Sequence, residues 1–117
     1  MRTTLFLLLA ACGPKDGSVE LDTSVCEDAP VLMWSNFGEG FLIGNCDSCH
    51  ASTTTDRHDA PESAVFDTLA EVQAQRDEIL SVATGDDPSM PPQGGVTDDD
   101  RLRLEIWLTC WVDQEEE

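Results

Sequence analysis

Beyond an apolar run near the N-terminus, large apolar residues cluster in three spaced groups, with polar and glycine- or proline-bearing stretches between them. In the first group Met33, Phe37 and Phe41 recur every four positions with Trp34 beside them, which predicts one apolar helix face leading toward Cys46. Gly38 and Gly40 lie inside that stretch. Each weakens a helix by roughly 1 kcal/mol relative to alanine, but small residues also let another helix approach closely. The second group is Leu69, Val72, Ile79 and Leu80. Thr68-Leu69-Ala70-Glu71 reads as a capping box at its start and Gly85 as its stop. The third group, Leu104, Trp107, Leu108 and Trp111, forms one broad face of a last helix opening at Thr97. Asp98, Asp99 and Asp100 sit at the positive end of that helix's dipole. The pattern predicts an all-α domain of about three main helices, with Ala51 to Glu62 as a polar loop between the first and second.

The ends read differently. Arg2 is followed by the apolar run Leu5 to Ala11, too short for the roughly 20 residues that span a bilayer. Basic start, apolar stretch, small residues: this is the order of a secretory signal. Residues 12–24 hold few large apolar groups and read as a flexible tether. Residues 25–112 are expected to fold as one small domain, and 113–117 to be an acidic tail with nothing to bury.

Candidate chemistry concentrates in Cys46-Asp47-Ser48-Cys49-His50. Two thiols three positions apart, followed at once by an imidazole, form the attachment pattern of a c-type haem. On a helical turn the three side chains share a face. Cys46 and Cys49 then form thioethers to the porphyrin and His50 supplies the proximal iron ligand. Cys-x-x-Cys also serves zinc and thioredoxin-like redox sites. Neither a second paired knuckle nor a strong strand pattern accompanies it here.

Leu9-Ala10-Ala11-Cys12 resembles a bacterial lipobox. The resemblance implies that residues 1–11 are a lipoprotein signal peptide and that Cys12 receives a diacylglyceryl group. Gly13 after it implies the outer rather than the inner membrane. An ordinary signal peptide with an incidental cysteine is the alternative. The chain has five cysteines, so Cys26 and Cys110 remain. An even remainder in an oxidising compartment reads as a disulfide, adding about 4–5 kcal/mol in the chain-entropy model. Two buried free thiols are the other reading.

The formal net charge is −18, and loss of Arg2 with the signal makes it about −19. Such a field rejects nucleic acid and anionic membrane surfaces, and steers a basic partner. A merely solvated acidic surface is the alternative. No Ser-His-Asp set, phosphate loop or carboxylate pair stands out, and nothing in the sequence bears on oligomeric state.

Taken together, Asn45 to His50, Met90-Pro91-Pro92 and the terminal Trp107-Leu108-Thr109-Cys110 resemble a small monohaem cytochrome c of the extracytoplasmic bacterial lipoprotein type. Gly38 and Phe41 are each displaced by one from the spacing of respiratory cytochromes c, and Trp111 follows Cys110 where glycine is frequent. The resemblance implies a cytochrome c-like fold wrapped on one covalent haem c, with Met90 as distal iron ligand. It also implies a lipid-anchored, one-electron carrier on the periplasmic side of the cell envelope, and the charge of the chain makes a basic redox protein its expected partner. Met33 is expected in the core. His58 is expected at the surface, with a second iron ligand or a propionate partner as its other readings, and Arg57 is another propionate candidate. The rival readings are a haem-free, disulfide-stapled surface lipoprotein binding a metal or a protein, and an open-site haem enzyme or gas sensor.

Overall fold

A threonine opens each of two helices. Thr68 accepts a hydrogen bond from the Glu71 amide and opens α3 (Leu69–Ala74), while Thr97 does the same with the Asp100 amide and opens α5 (Asp98–Ile106). Each cap satisfies an otherwise orphaned N–H and contributes about 1 kcal/mol. The computed structural model describes residues 21–116. The signal-like segment, Cys12, Gly13, most of the tether and Glu117 lie outside the described residues. Within them the regular structure is all helical, with no strand. A 3-10 turn at Thr23–Cys26 comes first. A π-helical turn at Trp34–Gly38 then runs into α1 (Glu39–Asn45), followed by the short α2 (Asp47–His50). After a long loop come α3, α4 (Arg76–Ala83) and α5. The last helix continues as a π-helical stretch, Trp107–Trp111, and a final 3-10 turn, Val112–Gln114.

All four residues of the second apolar group are buried, together with Leu104, Trp107 and Leu108 of the third. Phe41, Leu42, Phe66, Ala83 and Val112 complete one continuous core. Trp107 is its centre, fully buried, with the rings of Trp34 and Phe37 each 6.2 Å from its own. Gly38 makes this approach possible: a Cβ there would stand 2.4 Å from the Trp107 ring. Gly40 has no such neighbour.

Several expectations need correction. The second helix is not continuous. It breaks at Gln75 (φ −115°, ψ 13°), whose side-chain amide donates to the Val65 and Glu71 carbonyls. Its stop is where Gly85 puts it: the helix ends at Ala83, and Gly85 follows the C-cap Thr84 at φ +87°. Met33 is exposed rather than core. It caps the first helix in extended conformation, its amide held by the Asn36 side chain, and so lies off the helical face its spacing suggested. The π-helical turn that follows also rotates the register relative to a regular α-helix.

The acidic tail is not free. The Glu115 carboxylate accepts from the Trp34 amide (2.7 Å) and from the Trp107 indole (2.8 Å). Asp113 pairs with Arg76. Gln73 on α3 donates to the Val112 and Glu115 carbonyls. The chain end is a strap tying the first helix, α3 and the last helix together.

Candidate functional site

The turn carrying the two motif thiols is built by α1 running out. The Cys46 amide closes α1 on the Leu42 carbonyl (2.8 Å), and the Cys46 carbonyl then accepts from Cys49 (3.2 Å) and His50 (3.0 Å). Cys46, Cys49 and His50 therefore occupy one helical turn. Both thiols are half-buried and free, not joined to each other. Burial pushes the Cys46 thiol up to about 12, helped by the carboxylate of Asp47 and the thiol of Cys49. Burial also raises the Asp47 carboxyl, with Asp67 adding to the effect and His50 opposing it. One oxygen of Asp47, Oδ1, is buried without a partner among the described residues.

His50 is fixed at two points. Its Nδ1 lies 2.9 Å from the Ala64 carbonyl oxygen, and the Phe66 ring stacks on the imidazole at 4.9 Å with 29° between the planes. A carbonyl oxygen only accepts, so Nδ1 carries the proton, and the lone pair of the neutral ring belongs to Nε2. Nε2 makes no hydrogen bond to any described residue. The loop from Ala51 to Ala64 supplies the carbonyl, and Arg57 ties that loop together. Its guanidinium donates to the oxygens of Ala51 (3.0 Å), Pro61 (2.9 Å), Ala64 (3.2 Å) and, more weakly, Ala60 (3.4 Å).

Met90 is half-buried against the same core that Cys46 and Ala64 border. Its backbone is held from both sides: its amide donates to the Val82 carbonyl (2.9 Å), and its carbonyl accepts from Arg101 (2.9 Å). Arg101 also reaches the Ala83 carbonyl (2.8 Å), linking α5 to the end of α4 and to this loop. His58 stands apart, exposed and 3.7 Å from Asp56, in the left-handed region at φ +47°. The sulfurs of Cys26 and Cys110 are at bonding distance, 1.98 Å, with their Cα atoms 5.7 Å apart. Among the described residues no three His, Cys, Asp or Glu side chains converge closely enough to hold a metal ion unaided. No described helix is long and apolar enough to cross a membrane.

The donor set fits a covalently attached haem: two uncrosslinked thiols and an imidazole with its Nε2 lone pair unclaimed, on one turn, with a thioether on the border of the same core. Ala64, Phe66 and Arg101 belong to no motif in the sequence, and Arg57, a propionate candidate there, is bound to backbone carbonyls here. A carbonyl acceptor carries no side-chain signal, but an arginine inside so acidic a loop was one. No protein-family model, curated protein or solved structure matches the chain.

Proposed function

We propose that this chain is a monohaem c-type cytochrome, a one-electron carrier held at the periplasmic face of a bacterial envelope by a lipid on Cys12. The observation that carries the reading is the His50 arrangement. Nδ1–H is committed to Ala64, so Nε2 is left as a ligand nitrogen, one turn from two thiols that are not crosslinked to each other. In this reading Cys46 and Cys49 hold the haem through thioethers, His50 is the proximal ligand and Met90 the distal one. When bound, the haem supplies a ferric–ferrous couple, and methionine ligation raises its potential relative to a second imidazole. The chain's own part is to orient and to exclude water. Phe66 fixes the plane of His50, Val82 and Arg101 hold the Met90 backbone, and the apolar core that Cys46, Ala64 and Met90 border would exclude water from a group held there. A zinc site at the same thiols needs further protein ligands, which the described residues do not bring to them.

The test is the intact mass of the denatured mature protein, made in a host that attaches haem c, beside its absorption spectrum. The expected result is one haem and one diacylglyceryl modification per chain, with low-spin, six-coordinate iron. A chain carrying no haem mass favours the surface-lipoprotein reading. A five-coordinate iron that readily binds carbon monoxide favours an open-site enzyme or sensor.

A further inference from the structure

The chain has six lysines and arginines against 24 carboxylates, so every cation has many possible partners. Arg57 is flanked by Asp56, with Asp59 two positions on, yet it pairs with no carboxylate among the described residues. Its donors go instead to backbone carbonyls, and one of these is the Ala64 oxygen that also receives His50 Nδ1–H. One oxygen thus serves two donors, one of them charged. A carbonyl oxygen has two lone pairs, so both bonds can form. The charge-assisted bond draws electron density from the shared oxygen, and the bond from Nδ1–H is weaker than it is at an unshared carbonyl.

We infer that Arg57 is a positioning residue for His50, which sets the donor strength of its Nε2 by sharing the Ala64 acceptor. This rests on the reading of His50 as proximal ligand. A hydrogen bond from Nδ1–H makes an imidazole a more basic ligand, and a more basic ligand favours ferric iron. By weakening that bond Arg57 favours ferrous iron. The positive charge of the guanidinium acts in the same direction, against the field of the surrounding carboxylates.

The experiment compares wild type, Arg57→Gln and Arg57→Lys as haem-bearing proteins. It reads the reduction potential and the His50 Nδ1 proton resonance of the ferrous form. Glutamine removes the charge and the fork. Lysine keeps the charge, but one ammonium cannot span the Ala51, Pro61 and Ala64 oxygens. The expected result is a downfield shift of the His50 proton in both variants, as its bond to Ala64 strengthens. The potential falls in both, and falls less with lysine.

An unmoved or upfield His50 proton overturns the inference, whatever happens to the melting temperature. So does a potential that falls with glutamine while the His50 proton stays at its wild-type position with lysine, because the charge alone then explains the effect. If neither variant holds the haem fold, Arg57 is a structural clamp and the inference also falls. A wild type with no haem mass overturns the functional reading, and this inference with it. A haem-bearing wild type with insensitive variants overturns this inference alone.

Discussion

Gly38 sits in ordinary helical conformation, φ −60° and ψ −51°, so its backbone does not call for glycine. The Trp107 ring does, because it occupies the place of a side chain. Gly38→Ala forces the core tryptophan to move and is expected to cost about 1–3 kcal/mol, the usual range for overpacking. Gly40→Ala meets nothing within 4 Å and is expected to be neutral, or to stabilise by up to about 1 kcal/mol. Urea unfolding of both variants checks the pair, and equal effects would remove the packing argument. Cys46 gives a second contrast. Its thiol is raised to about 12 in the folded chain, while an unfolded thiol keeps its ordinary value near 9. Between those values the unfolded chain loses a proton that the folded one retains. The haem-free protein should therefore lose stability as pH rises from about 9 toward 12, a slope that Cys46→Ala abolishes. Denaturant midpoints across that range measure it.

Among the elements, the threonine-capped helices were legible because a cap is a local event. Thr68 and Thr97 reach an amide three residues on, and sequence alone puts both partners in view. The apolar faces of α3, α4 and α5 were legible for the same reason. The strap was not. Glu115 acts on an amide 81 positions away, and nothing in a run of acidic residues distinguishes it from its neighbours. The break at Gln75 likewise depends on the Val65 carbonyl, ten residues back. At the candidate site the thiols and His50 were readable as a motif, whereas the groups that orient His50 come from tertiary folding of the loop. Glu115→Ala leaves the buried Trp107 indole and the Trp34 amide without acceptors. It is expected to cost about 1–3 kcal/mol and to change tryptophan fluorescence, whereas Glu116→Ala changes neither. A Glu115→Ala protein that melts like wild type would return the tail to the solvated role its composition suggests.

For the whole molecule the dominant quantity is charge. Among the described residues only four ion pairs form, one of them with His58, so most of the carboxylates there stand free of a cation. The long-range field is therefore little neutralised. On the proposed reading, electron exchange with a basic redox protein should slow by an order of magnitude or more as ionic strength rises from about 10 mM to 200 mM, and exchange with an acidic one should quicken slightly. Stopped-flow rates across that salt range test this, and flat rates with both partners would mean that the acidic surface does no steering.

The strap and the Cys26–Cys110 bond also impose an order in time. On the proposed reading the chain is exported from its N-terminus with Cys12 taken by the lipid, and it presents Cys26, then Cys46 and Cys49, and only much later Cys110. The contacts that close the domain wait for the same late segment, since Trp107, Cys110 and Glu115 all lie there. Until it arrives the motif thiols stay open to solvent and to whatever modifies them. Cys26 meanwhile has two wrong partners within reach and its right one absent. Modification of Cys46 and Cys49 during that interval would leave Cys110 as the one thiol Cys26 can still find, so that the chain's own sequence of emergence selects the correct crosslink.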